Sequence, residues 1–282
     1  MERPYSEMFE QIIAGIEGRI GGPARKVVVD RGVKPDNARH ELGRHNPKVV
    51  IPLGREGIEM VAAGNPDVPV IAGAILHPSP STARFHTTVT LNTDPLLLFG
   101  RLKSVAPATK RIIVIHDPNK SEGVIRAAND AAGQLGLDLT VIKVRDRRSA
   151  AWMYEAVFSS IDGSKDVVWL PTDTTTVDDT VILPLILEQS WKRSFPVISS
   201  TPSHMERGVL LALYPDYSKI GNALGSIAID AVGGGARNGA VFSRQVQAAV
   251  NERTARHLGL KLSDDLRRQF DAVFPALAPL SR

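Results

Sequence analysis

Residues 165 to 176 read KDVVWLPTDTTT, a short apolar run that stops at Pro171 and gives way to one carboxylate, Asp173, and four threonines, Thr172, Thr174, Thr175 and Thr176. Apolar residues in succession from Val167 to Leu170, bounded by turn chemistry, predict a strand buried on both faces, the kind that parallel sheets contain. In an open α/β sheet the ligand sits beyond the carboxyl ends of the strands. The polar tip of this strand is therefore the expected binding site. Its short donors and acceptors suit the holding of a small polar molecule, and no His, Cys or Lys stands alongside them in sequence to act as base or nucleophile. The competing reading is that the hydroxyls and the carboxylate cap the helix that follows.

The same pattern extends in both directions. Upstream, Phe9, Ile12, Ile13, Ile16 and Ile20 recur at helical spacing and predict an amphipathic helix over 6–20, with Ser6 as its N-cap. Strands are expected at 27–29 (VVV), 49–54 (VVIPLG), 69–76 (PVIAGAIL) and 87–91 (TTVTL), with helices over 35–44 and 55–63 and a Ser/Pro loop from His77 to His86. A helix over 95–105 precedes the strand at 112–116 (IIVIH), whose tip is again polar. Beyond it come a helix, a strand at 139–144, a helix, the opening stretch, a helix over 181–193, and strands at 196–201 and 209–214. The helix from Tyr217 to Val232 stops at Gly233, Gly234 and Gly235, which suits a C-cap and a hinge. These glycines follow a helix, whereas a phosphate cradle must precede one. The tail is expected to hold a strand near 246–250 and two short helices. Alternating strands and helices predict an α/β chain of parallel sheets covered on both faces. A chain of 282 residues with about ten strands fits two lobes better than one.

Composition narrows the function classes. Hydrophobic residues make up 43% and charged residues 23%, an ordinary globular balance. The formal net charge of +4 is spread without a basic run interleaved with aromatics, so no nucleic-acid partner is expected. The absence of cysteine removes disulfides, thiolate metal sites and a Cys nucleophile. The longest apolar runs, such as VILPLIL at 181–187, are too short to span a bilayer, and the opening residues carry no export signal.

No nucleotide, metalloprotease or serine-hydrolase motif occurs, and the seven histidines form no pair with metal-ligand spacing, so neither cofactor nor metal is expected. His77, His116 and His204 each follow an apolar strand, where a loop hydrogen bond is the ordinary role and catalysis the exceptional one. What stands out is the number of strand tips with one character: Gly54 with Arg55, His77 with Ser79 and Ser81, Asn92 to Asp94, Asn119 to Ser121, Asp173 to Thr175, and Ser199 to Thr201. Gathered on the rims of two facing sheets, they would line a small-molecule site. Tyr5, Phe85 and Tyr214 are the aromatics expected near it, while Trp169 and Trp191 are expected in the core.

LPTDTTT at 170–176, PVISST at 196–201, GVLLALYPDYSKIGNALGSIAIDAV at 208–232 and VNERTARHLGLKL at 250–262, in that order, resemble the ABC-transporter substrate-binding family that includes tryptophan and tyrosine binders. The resemblance implies a type I periplasmic-binding fold: two Rossmann-like lobes, residues 1–108 with 216–240 and residues 109–215 with 241–282, holding ligand between them. It places Asp173 on the family's acidic cleft position, Ser121 on a small polar position and Ser200 on the hydroxyl position after PVIS. Gly54 matches the glycine that ends a first-lobe strand, and Arg55 replaces a small Thr or Ser, where a guanidinium would either attract a carboxylate or block the pocket. The expected ligand-binding set is Gly54, Arg55, His77, Asn119, Ser121, Asp173, Thr174, Ser200 and Thr201.

Such lobes begin with a strand, which here would precede Glu2, so the resemblance implies that the gene product starts upstream with that strand and an export signal. The function so implied is that of a monomeric, extracytoplasmic, non-enzymatic solute-binding component of an ABC uptake system, closing on a small polar, amino-acid-like ligand and delivering it to a membrane permease. Closure would turn on the segments 106–110, 214–216 and 235–240. The alternatives are a ligand-sensing regulatory module of the same fold and, last, a cytoplasmic α/β enzyme.

Overall fold

The computed structural model describes residues 3–29, 40, 42–235 and 239–275, and the side chains from residue 7 onward. The chain divides into two compact units, Met1–Asn92 with Pro215–Val246, and Thr93–Tyr214 with Gln247–Arg282.

The first unit opens with α1 (Arg3–Ile20). This helix starts earlier than the N-cap reading of Ser6 implied, because Pro4 in its first turn already has the helical φ and needs no N–H partner. After α2 (Gly54–Gly64), β1 (Ile71–Ile75) and β2 (Thr87–Thr93) pair in parallel, and β8 (Gly239–Ser243) lies on the far side of β2. The strand expected at 49–54 is reduced to two bridges, Val50 to Val70 and Leu53 to Gly73. Ile12 and Ile16 of α1 and Ile220 and Leu224 of α8 (Tyr217–Val232) close one face of this sheet over Ile71, Ala74 and Val89. The two helices approach backbone to backbone: a Cβ on Gly221 would stand 2.0 Å from the Ile12 carbonyl oxygen.

The strand expected at 27–29 does not form. Val28 is 81% exposed and Val27 47% exposed, and no ladder partner reaches them among the described residues. Three valines favour the pleated conformation only where a neighbouring strand gives them a surface to pack on. The helix expected over 35–44 lies mainly outside the described residues, although 42–45 are helical.

The second unit carries a seven-stranded sheet in the order β10-β9-β7-β6-β5-β3-β4. Its strands are β3 (Arg111–His116), β4 (Asp138–Lys143), β5 (Asp166–Leu170), β6 (Val197–Ser199), β7 (Leu211–Pro215), β9 (Val246–Asn251) and β10 (Ala272–Phe274). The pairs β4/β3, β3/β5, β5/β6, β6/β7 and β9/β10 are all parallel. The helices α3 (Pro95–Val105), α4 (Pro118–Gln134), α5 (Arg147–Ser160) and α6 (Ile182–Arg193) alternate with the strands. Every residue of β5 is buried, as its apolar run required. Asp166 opens that strand buried, its desolvation offset by Arg111, which donates to both its oxygens, with Nε reaching Oδ1 at 3.0 Å.

The division differs from the expected one at Pro215, which falls in the first unit, and in two longer segments. Helix α3 belongs to the second unit, where the ring of Phe99 meets Trp169 edge-on at 5.4 Å and Arg101 donates to Gln269 at 2.8 Å. Residues 241–246 stay with the first unit because β8 completes its sheet. Trp169 is core, as expected, but Trp191 is not: it is 45% exposed and stacks on His257 at 3.6 Å, with Arg253 over its ring at 5.5 Å. The Trp191 carbonyl also accepts from His257 Nε2 at 2.9 Å, so the pair ties α6 to α9 (Glu252–His257) on the surface.

Candidate functional site

In the second unit β3, β5 and β6 are neighbours, and being parallel they end on one edge of the sheet. The residues that terminate β3 and β5 therefore meet, although up to 58 positions separate them in sequence. Asp173, 3% exposed, accepts the backbone N–H of Asp117 at 2.7 Å and the Ser121 hydroxyl at 3.1 Å on Oδ2, and the Thr175 N–H at 2.9 Å on Oδ1. Asp117 in turn caps α4 by accepting from Asn119 N–H at 3.0 Å, while its Oδ2 takes the Thr175 hydroxyl at 3.1 Å. Two carboxylates and two hydroxyls thus clasp the β3 and β5 tips together.

This modifies the role expected for Asp173. Its charge is balanced by backbone and hydroxyl donors of the protein, so it acts on the rim chiefly by holding the loops that frame it. The groups that face outward are its neighbours. Asn119 and Thr174 are exposed, and the Thr174 hydroxyl accepts from Lys120 Nζ at 2.8 Å. At the β6 tip Ser200 accepts from the Trp169 indole at 3.3 Å and its own N–H bonds to the Leu170 carbonyl, which ties it to the end of β5.

The turn after β6 is braced by a chain that sequence reasoning did not assemble. Ser199 Oγ lies 2.8 Å from His204 Nδ1, and His204 Nε2 lies 3.0 Å from Asp179 Oδ1. A carboxylate only accepts, so Nε2 carries the ring proton and Nδ1 accepts from the Ser199 hydroxyl. Ser, His and Asp in a row invite comparison with a hydrolase, but Ser199 is wholly buried and its oxygen also accepts from Thr201 N–H at 3.0 Å. A nucleophile must reach its substrate. The chain here fixes the backbone of Thr201.

Burial is the leading cause of every histidine shift at this rim. It pushes His204 below its ordinary value against the opposing pull of Asp179, and it does the same to His116 against Glu122. Tyr154 beneath the clasp is pushed far up by burial and then by the charge of Asp173. Its hydroxyl and that of Thr176 are buried without a partner. Among the described residues no group of three His, Asp or Glu is placed to hold a metal, and no helix is long and apolar enough to cross a membrane.

The remaining expected residues lie on the first unit. Gly54 begins α2 directly after the bridge at Leu53, with φ of +75°, and a Cβ there would stand 2.9 Å from the Phe9 ring. Only glycine satisfies both conditions. Arg55 follows it, exposed, and His77, also exposed, comes just after β1. Asn119, Ser121, Asp173, Thr174, Ser200 and Thr201 are thus on one edge of the second unit's sheet, and Gly54, Arg55 and His77 follow adjacent strand segments of the first unit. Asp117 and Thr175 belong to the clasp and were outside the expected set, although both sit on strand tips with the same polar signature.

Comparison with known proteins agrees with this architecture. A tyrosine-binding protein of Clostridioides difficile is 25% identical over 169 residues, covering 58% of this chain and 47% of that protein, so the chain matches about half the length of this relative. Among solved structures, the ligand-free, open form of a substrate-binding protein with adhesive properties from Clostridium difficile superposes with a TM-score of 0.64 at 16% identity over 92% of this chain and 93% of that one. An ABC domain in complex with L-Trp from Streptococcus pneumonia gives 0.59 at 18% identity over 94% and 95%. At these identities the structures establish the fold, which is that of type I periplasmic binding proteins: two lobes built on parallel sheets. Residues 37–273 match the family described as ABC transporter substrate binding protein, and with most of its length inside that match the chain belongs to that family.

Proposed function

We propose that this chain is the solute-binding component of an ABC uptake system and that its ligand is a small, polar, amino-acid-like molecule. The observation that carries the reading is the clasped rim of the second unit. There Asp117, Ser121, Asp173 and Thr175 hold two strand tips rigid, while Asn119, Lys120, Thr174, Ser200 and Thr201 offer short donors and acceptors around them. Pre-organised polar groups on a rigid scaffold recognise small ligands with little ordering cost. Lys120 and the hydroxyl of Thr174 suit a carboxylate. The names of the relatives, which bind tyrosine and tryptophan, support an amino acid as the class. Delivery to a membrane permease, an extracytoplasmic location and a non-enzymatic role follow from the family as parts of the same proposal.

Isothermal titration with L-tyrosine, L-tryptophan and small carboxylates tests it directly. Saturable binding of one of them, weakened at least tenfold in Lys120→Ala or Thr174→Val, is expected. Absence of heat from every amino acid at millimolar concentration would remove the reading.

A further inference from the structure

Ser121 has one hydroxyl proton and three neighbours able to take it: the Asp173 Oδ2 and the Asp117 carbonyl oxygen, both at 3.1 Å, and His116 Nδ1, also at 3.1 Å. The conflict is resolved if Nδ1 bears the ring proton and donates to Ser121 Oγ, which frees the hydroxyl to serve the clasp. That tautomer leaves His116 Nε2 bare. His116 is wholly buried, and Nε2 has no partner. Facing it at 4.0 Å, too far for a hydrogen bond, is Glu122 Oε2, an atom likewise out of contact with solvent and without a partner. The other oxygen of Glu122 accepts from Lys143 Nζ at 3.3 Å. Two lone pairs therefore oppose each other across a gap that one proton would bridge.

We propose that His116 and Glu122 form a proton-operated latch beneath the clasp: the chain from Nδ1 through Ser121 to Asp173 holds the β3 and β5 tips together, and a proton taken up at Nε2 draws Glu122 across the gap, away from Lys143, and so loosens the first turn of α4. His116 is in this sense a positioning residue, acting on the rim through Ser121. Every charged group facing the ring has a definite sign. Glu122 on α4, Asp173 after β5 and Asp117 after β3 favour the second proton, Lys143 at the end of β4 opposes it, and burial opposes it most. The latch therefore moves on the acid side of the ordinary histidine range. It is a property of the unliganded chain, and only its consequence for affinity rests on the function proposed above.

Titration of the His116 ring by NMR in the ligand-free protein, with amide exchange of residues 119–122 followed over the same pH series, tests the latch without any ligand. The ring is expected to titrate below pH 6.5, and exchange of those amides to quicken several-fold with the same midpoint. Glu122→Gln, which removes the attracting charge, should move that midpoint to lower pH, and Lys143→Met should move it to higher pH. Both positions are partly exposed, so neither variant threatens the fold. A histidine that merely fills space would shift with the two charges but leave the amide exchange untouched, and a midpoint unchanged in both variants overturns the proposal. So does exchange at 119–122 that stays flat while the ring titrates. If L-tyrosine or L-tryptophan binds, its affinity should fall through the same midpoint; failure to bind would count against the proposed function and leave the latch standing.

Discussion

The Asp173 carboxylate accepts the backbone N–H of Asp117 at 2.7 Å, across 56 positions of sequence, and so joins the carboxyl ends of two parallel strands that share a ladder. Because the same oxygen also takes the Ser121 hydroxyl, replacing the carboxylate leaves buried donors without an acceptor, the costly half of breaking a hydrogen bond. Asp173→Asn is expected to lower stability by about 1–3 kcal/mol. Ser121→Ala should cost about 1–3 kcal/mol, since it removes one donor to Asp173 and leaves the buried His116 Nδ1–H without its acceptor. Urea unfolding midpoints measure both, and a wild-type midpoint in Asp173→Asn would show that the clasp holds nothing.

Helices α1 and α8 pack through their glycines. A Cβ on Gly221 would lie 2.0 Å from the Ile12 carbonyl oxygen, and one on Gly15 would lie 2.1 Å from the Ser218 carbonyl oxygen. Both obstacles are backbone, so the helices must part. Gly221→Ala is expected to destabilise by about 1–3 kcal/mol or more through overpacking. Gly18→Ala, on the same helix α1 with nothing within 4 Å of its added Cβ, should instead stabilise by about 0.5–1 kcal/mol through helix propensity. Opposite signs for the two alanines in thermal unfolding would confirm the close crossing; equal signs would exclude it.

Much of this arrangement was legible in the chain itself, and the reason is the parallel sheet. Val167 to Leu170 and Ile112 to Ile115 are buried on both faces, so they read as unbroken apolar runs, and their polar tips mark one rim. Asp173 and Ser121 could be placed together for that reason alone. What could not be read depends on partners far away in sequence. Trp191 looks like core until His257 is found stacked against it from 66 positions on. The brace from Ser199 through His204 to Asp179 is invisible because only the fold brings Asp179 within reach of the ring. The three residues of β10 are too few to show a pattern, and they pair because Asp271 accepts from Ala248 N–H at 2.7 Å and sets the register. Val27 to Val29 fail in the opposite way, since a strand-like sequence is only half of a strand.

That failure has a measurable consequence at the neighbouring segment. Val50 N–H bonds to the Pro69 carbonyl, and the carbonyls of Val50 and Pro52 accept from Ile71 and Gly73, so residues 50 and 52 face β1. Alternation then turns Ile51 outward with both its N–H and its C=O. The proline lacks its donor on the inner side, the reverse of the placement that usually protects an edge. Among the described residues no strand pairs with that outer side, and an unpaired edge in a unit that also exposes Val27 and Val28 favours strand-mediated association. Val28→Lys should therefore raise the concentration at which the protein begins to associate, read by light scattering, while changing stability by less than about 0.5 kcal/mol. A loss of more than 1 kcal/mol in that variant would mean that Val28 is packed after all.

His204 fixes the sign of a pH effect on stability. Burial lowers its folded-state affinity for a proton below that of the unfolded chain, although Asp179 pulls the other way. Between the folded value and the ordinary 6.5 the unfolded chain binds more protons, so stability rises with pH across that window. The contribution of the neutral ring is whole above pH 6.5 and is lost as pH falls towards the folded value. Asp179→Asn removes the attracting charge, lowers the folded value further and widens the window, so its stability should fall more steeply below pH 6.5 than that of the wild type. His204→Gln has no proton to take up and should lose its share of the slope, at the cost of a constant loss from the broken brace. Unfolding free energies at several pH values between 5 and 8 separate the two. A steeper acid slope in Asp179→Asn together with a shallower one in His204→Gln identifies His204 as the source, and parallel slopes in all three proteins would assign the effect elsewhere.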